Sequence, residues 1–271
     1  MTGSTAPMGG AAASGTAAPG NIVFDLDGVL YLAGEAIDGA AEALSDLDSR
    51  GYRFVFATNN STAGAAAVAG RIEHLCGYPA RPGQVVTSGM AACSLITGSD
   101  SPAFVLGEEG LVQTLRSAGI EITVDPGRAR SVFVGLDRNL TYERLRDAAT
   151  AVLAGARFIA TNEDPTFPTP GGLWPGSGSI AAAVALTAGT EPEIAGKPHE
   201  PMRRAVEALL GCGPTWAIGD KAETDIALAR AAGWSSVLTL SGVTPDAGAI
   251  PAGYTPDLIL ESIADLPSAL P

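Results

Sequence analysis

The sequence predicts an α/β protein built on a parallel sheet, with a middle stretch that carries a strand–helix alternation of its own. Three observations predict it. Short apolar runs rich in β-branched and aromatic residues alternate with helical stretches from Asn21 onward. Several of these runs stop at polar residues: Asp25 and Asp27, Thr58 and Asn59, and Asp220. The rhythm is interrupted once, by a loop rich in Pro, Gly and Thr from Thr161 to Ser177, and then restarts.

Taken in order, Ile22-Val23-Phe24 reads as a buried strand ending at Asp25-Leu26-Asp27-Gly28. A helix is expected over Ala40–Arg50, with Ala41, Leu44 and Leu47 on one face and Gly51 as its stop. Arg53–Ala57 is a second strand, running into Thr58-Asn59-Asn60-Ser61-Thr62. A helix near Gly64–Cys76 then leads to strand-like Val85–Ser88. The middle has its own alternation: strands at Ala103–Gly107 and Ser131–Gly135, helices at Leu111–Ala118 and Tyr142–Ala154, and a strand at Phe158–Ala160. An Ala-rich helix near Ser179–Ala188 closes it. The last third brings Ile194-Ala195 into Gly196-Lys197-Pro198, a helix at Met202–Leu210 and a strand at Trp216–Ile218 stopping at Gly219-Asp220. A helix at Asp225–Ala232 and a strand at Ser236–Leu240 follow. The carboxyl edge of an open α/β sheet is where ligands bind, so residues far apart in sequence are expected to meet there.

Composition narrows the function. The chain has 271 residues, of which 29 are acidic and 16 basic, for a formal charge of −13. So negative a surface repels nucleic acid and anionic lipid, whose binding needs Lys and Arg against phosphate. Neither partner is expected. Cys76, Cys93 and Cys212 are few and widely spaced, which suits reduced thiols in the cytoplasm better than a disulfide framework or a zinc site. No apolar run is long enough to span a bilayer. Residues 1–20 lack the basic start and apolar centre of a signal peptide, and their Gly/Ala/Ser/Thr composition predicts a disordered tail.

Four constellations carry chemistry. Asp25-x-Asp27 at a strand end offers a nucleophilic carboxylate, with a second carboxyl two residues on to protonate a leaving group and then activate water. Alone it is weak, because two acids in a turn are commonly just solvated. Thr58 before a helix presents uncharged donors to a phosphate oxygen, or merely caps that helix. Lys197, between Gly196 and Pro198, offers a fixed ammonium to offset nucleophile and phosphate; the plain alternative is an exposed turn lysine. Asp220 at a strand end suits Mg²⁺, which prefers a few carboxylates plus waters and phosphate. Asp225, at the next helix start, suits orienting a metal-bound water, supporting Lys197, or a helix N-terminus. Four clustered acids also repel one another unless a cation or protons neutralise them.

In this order the constellations resemble the haloacid dehalogenase-like (HAD) hydrolase superfamily. Within it they resemble the NagD-like or 4-nitrophenylphosphatase subfamily, class IIA with a C2-type cap. Asp25-Leu26-Asp27-Gly28-Val29-Leu30-Tyr31 is similar to its first motif, Thr58-Asn59-Asn60 to its second and Gly196-Lys197-Pro198 to its third. Gly219-Asp220 with Thr224-Asp225-Ile226 is similar to its fourth. The stretch from Ala160 through Phe167-Pro168-Thr169-Pro170 to Ser179 resembles the subfamily's cap. The resemblance implies a Rossmann-like core of residues 21–90 and 189–271, with a cap of residues 91–188. It implies Asp25 as nucleophile and Asp27 as general acid/base. Magnesium would be held by Asp25, the Asp27 carbonyl and Asp220, and phosphate by Thr58, Asn59 and Lys197. It leaves room for a homodimer through the caps. Lys221 stands where Arg or Asn is common, and no consequence is attached to it.

The expectation is therefore a Mg²⁺-dependent phosphatase of small phosphate monoesters, such as glycerol 3-phosphate, 2-phosphoglycolate, sugar phosphates or nucleoside monophosphates. A regulatory protein on the same scaffold would be expected to lack Asp25 or Asp27, and a metal-independent dehalogenase has no use for Asp220. Asn162 and Asp164 are candidates for the substrate rim, or for hydrogen bonds that merely hold their loop. His199 is expected to start a helix.

Overall fold

The computed structural model describes residues 19–169 and 171–271. The expected disordered tail lies outside the described residues as far as residue 18. Gly20 is buried, and its carbonyl accepts from Arg53 N–H at 3.0 Å.

Six parallel strands form the larger sheet, in the spatial order Leu258–Leu260, Ser235–Thr239, Thr215–Gly219, Asn21–Phe24, Arg53–Thr58, Val85–Thr87. The chain leaves the central strand Asn21–Phe24 in one direction and returns to its other side at Thr215–Gly219. That reversal makes a topological switch point at the carboxyl end of the central strand, and the ligand crevice of an open α/β sheet forms there. The fold is Rossmann-like. All four residues of Asn21–Phe24 are buried, as a central parallel strand covered on both faces must be. Phe24, Phe54 and Phe56 pack ring against ring on one face, with centroids 5.2 to 6.2 Å apart. Helices Ala40–Ser49 and Ala65–Cys76 cover that face through Leu44, Leu47, Val68 and Ile72.

A second parallel sheet runs Glu193–Ile194, Arg157–Ala160, Ser131–Val134, Ala103–Leu106, Ile122–Thr123. Glu193–Ile194, assigned to the core segment on sequence, thus pairs in this sheet. Helices Tyr142–Leu153 and Ser177–Ala188 cover one face of it. The other face joins an apolar cluster containing Val23, Val55 and Ala57 of the large sheet beside Phe133 and Ile159 of the small one. Continuous apolar packing holds the two sheets in one arrangement.

The Pro/Gly/Thr-rich stretch differs from the loop expected. It contains an antiparallel hairpin, Thr166–Thr169 against Gly172–Pro175, whose short, turn-rich strands carry no sustained period. The helix expected from Asp225 begins as a π-helical turn, Ala222–Ile226, and becomes regular over Ala227–Ala232. No helix among the described residues is long and apolar enough to cross a membrane.

Candidate active site

Asp25 follows the central strand directly, and its backbone N–H donates to Ile218 O at 2.8 Å. The neighbouring strands bring Thr58 and Asp220 to the same edge. Lys197 comes from the turn after Ile194, and its ammonium is almost wholly buried. Its Nζ lies 2.5 Å from Asp25 Oδ1 and 2.7 Å from Asp225 Oδ1. Gly196 precedes it because a Cβ there would sit 2.5 Å from Asn59 Oδ1 and 2.6 Å from Thr161 O. Asp220 is fixed by the Val243 N–H, which donates to its Oδ2 at 2.7 Å. Gly28 lies against that carboxylate with φ +89°, and a Cβ there would come within 2.2 Å of Oδ2. The turn after Asp27 therefore needs glycine for both its dihedral and its closeness to Asp220.

Carboxylate oxygens of Asp25, Asp220 and Asp225 lie within 4.8 Å of one another. Three carboxylates against one ammonium leave two negative charges in a space shielded from water. The electrostatics show the strain. Burial drives the Asp25 carboxyl well above the usual range; Lys197 opposes this, and Asp225 and Asp220 add to it. Burial and the charge of Asp225 raise Asp220 to about 7, against the Val243 N–H and Lys197. Burial disfavours the Lys197 ammonium, but Asp225 and Asp25 outweigh it and keep it protonated. A hard dication fits this donor set: the ligands are all oxygen, and its charge cancels the surplus. The hydrogen bonds engage only one oxygen each of Asp25 and Asp220 among the described residues, leaving the other for a metal.

Asp27 is exposed in the crevice. Its carboxyl touches solvent there, but the crevice walls crowd around it and raise its pKa, a rise that the charges of Arg71 and Lys197 partly reverse. A cavity of about 210 Å³ contains Asp25, Asp27, Thr58, Asn59, Lys197, Asp220 and Asp225, together with Asn162 and Asp164. Every residue singled out from the sequence thus meets in one place, but not with equal freedom. The Asn59 side chain is committed to protein: Oδ1 accepts from Lys197 N–H at 2.7 Å and Nδ2 donates to Asp164 Oδ2 at 2.9 Å. Asn162 is similarly engaged. It donates to Asn59 O at 2.7 Å and accepts from Ser177 Oγ at 2.6 Å and Asp164 N at 3.0 Å. Lys221, passed over in the sequence, pairs with Asp164 Oδ1 at 2.5 Å. The signal available was a second lysine directly after a strand-end aspartate. His199 precedes helix Glu200–Glu207 as expected and bonds Glu163 at 2.9 Å.

Sequence relationships agree with this geometry. The haloacid dehalogenase-like hydrolase family matches residues 22–121, and a HAD hydrolase-like family matches residues 194–266. The dihydroxyacetone phosphatase of Corynebacterium glutamicum is 35% identical over 246 residues, covering 89% of this chain and 88% of that one. The p-nitrophenyl phosphatase of Archaeoglobus fulgidus superposes with a TM-score of 0.86 at 32% identity, over 92% of this chain and 98% of its own. A glycerol phosphate phosphatase of Mycobacterium tuberculosis, solved in complex with magnesium, gives 0.82 at 30%, over 92% of this chain and 78% of its own. The chain belongs to the haloacid dehalogenase-like hydrolases. Its relatives place it among the NagD-like and 4-nitrophenylphosphatase branch of that family.

Proposed function

We propose that this chain hydrolyses small phosphate monoesters in two steps through Asp25. It is a Mg²⁺-dependent phosphatase. In the first step an Asp25 carboxylate oxygen attacks phosphorus, the ester P–O bond breaks, and Asp27 gives its proton to the departing alcohol oxygen. In the second, Asp27 takes a proton from water, the water oxygen attacks phosphorus, and the bond to Asp25 breaks to release inorganic phosphate. Lys197 offsets the charge that gathers as carboxylate and phosphoryl group approach, and it is already in place before substrate arrives. Thr58 supplies a hydroxyl at the phosphoryl oxygens, and Asn59 acts by holding Lys197. Asp25, Asp220 and the Asp27 carbonyl would hold magnesium, which supplies charge neutralisation at nucleophile and phosphate.

The observation that carries this reading is the Asp25–Lys197–Asp225 chain of contacts beside Asp220 at the sheet's switch point. A capping role for the smaller sheet is supported by Asn162, Asp164 and Phe167, which reach over the same cavity. On that reading the cap runs from about residue 91 to Ile194, since Glu193–Ile194 pairs in its sheet. We place the reaction in the cytoplasm, where the free Cys76, Cys93 and Cys212 stay reduced. The test is phosphate release from 4-nitrophenyl phosphate with and without Mg²⁺. Turnover that survives complete chelation would overturn the metal-dependent reading.

A further inference from the structure

A second cavity, of about 590 Å³, lies beside the first and shares Asp27, Leu32 and Pro168 with it. Its walls include Tyr31 and two side chains of helix Ala65–Cys76, Arg71 and His74, three positions apart and so on one face. Arg71 has no carboxylate within ion-pair distance among the described residues. Arg53, Arg81, Arg130 and Arg230 also form no ion pair among the described residues, but of these arginines only Arg71 lines either cavity. Its charge reaches the site, opposing the burial-driven rise of both the Asp27 carboxyl and the Tyr31 phenol.

We infer that the second cavity receives the alcohol portion of the substrate, and that Arg71, aided by His74, recognises a second anionic group on that alcohol. The inference rests on the phosphatase reading. Asp27 must touch the leaving oxygen to protonate it, so the alcohol begins at Asp27, where the two cavities meet. The groups assigned to the phosphoryl group and metal, Lys197, Thr58 and Asp220, line the first cavity only. Of the polar side chains on that cavity's rim, Asn162, Asp164 and the cation Lys221 already have protein partners. Arg71, exposed at the second cavity and touching the Tyr31 hydroxyl but no carboxylate, is thus the cation left to meet the organic part. A guanidinium binds a carboxylate or phosphate through two parallel N–H bonds. It also offsets locally the repulsion that so acidic a protein exerts on a doubly anionic ester. The favoured substrates are phosphate monoesters of short alcohols carrying a carboxylate or a second phosphate.

Two matched pairs test this: 2-phosphoglycolate against 2-hydroxyethyl phosphate, and 3-phosphoglycerate against glycerol 3-phosphate. Within each pair the esters share Asp27, so the ratio of kcat/KM values cancels any effect of Arg71 on the acid. The wild-type ratio should favour the carboxylate in at least one pair. Arg71→Met should lower that ratio about tenfold, equivalent to about 1.4 kcal/mol, and Arg71→Lys should restore part of it. An unchanged melting temperature in both variants separates recognition from folding. No carboxylate preference in either pair, or a ratio unmoved by Arg71→Met, overturns the anion site while turnover of 4-nitrophenyl phosphate leaves the phosphatase reading standing. Absence of turnover on every ester overturns that reading as well.

Discussion

Lys197 bridges Asp25 and Asp225, with its Nζ 2.5 Å from one carboxylate and 2.7 Å from the other. One ammonium therefore holds the nucleophile and the acid of the fourth motif in a fixed relation. Removing one partner of a buried ion pair leaves uncompensated charge, at a cost of about 3–5 kcal/mol. Lys197→Met should lower the urea midpoint of the metal-free protein accordingly and abolish turnover. A midpoint equal to wild type would show that the ammonium does not neutralise this cluster.

Asp25→Asn should fold normally and lose turnover, because the amide keeps the shape without the nucleophilic charge. Rapid acid quench of the wild type should trap phosphoryl label on the peptide containing Asp25. Substantial activity in the variant would rule out covalent transfer through this residue.

Mg²⁺ binds only the assembled carboxylates, so at a hundred times its Kd it should stabilise the fold by about 2.7 kcal/mol. Asp220→Ala should lose most of that shift. The effect should also depend on pH. The folded, metal-free Asp220 titrates at about 7, above an unfolded aspartate at about 3.9. Between those values the folded state holds the extra proton, so the stability of the metal-free protein falls as pH rises through this window. Protons and metal compete for the same oxygens. The Mg²⁺-induced rise in melting temperature should therefore grow from pH 5 to pH 8, and a flat response would separate Asp220 from the metal.

Asp27→Asn should cost most with alkyl esters, whose alkoxides leave poorly without a proton. The loss should be smaller with 4-nitrophenyl phosphate, whose phenolate departs unaided. Equal losses on both would move the proton-donor role elsewhere.

Asp164 joins Asn59 and Lys221, and Asn162 joins Asn59 to Ser177. These contacts tie the loop after Arg157–Ala160 to the second motif at Asn59 and to the fourth at Lys221, next to Asp220. Asp164→Ala leaves donors unpaired and should destabilise by about 1–3 kcal/mol. Its kcat/KM should fall by a similar factor on 4-nitrophenyl phosphate and glycerol 3-phosphate. A loss confined to glycerol 3-phosphate would instead make Asp164 a substrate contact.

Much of the fold was legible because its signals are local. The run Ile22-Val23-Phe24 before Asp25 reads as a buried strand and is one, and the helix expected at Tyr142–Ala154 forms at Tyr142–Leu153. Hairpin Thr166–Thr169/Gly172–Pro175 and strand Leu258–Leu260 escaped because they are short and lean on neighbours for their pairing. In the site, strand-end polar residues and their order pointed to Asp25, Asp27, Thr58, Lys197 and Asp220.

The sequence by itself determined the α/β class, the edge of the sheet where ligands meet, and the residue types that phosphoryl transfer requires. These follow from hydrophobic period and from chemistry carried by single side chains. Only the tertiary structure decided how those side chains are paired. Lys197 reaches Asp25 across 172 positions, and Asn59 reaches Asp164 across 105. It turned Asn59 and Asn162 toward protein partners, gave Lys221 a role, and left Arg71 without an acidic partner beside Asp27. Hydrogen bonds and ion pairs act over about 3 Å, whereas sequence period records only which face of an element is buried.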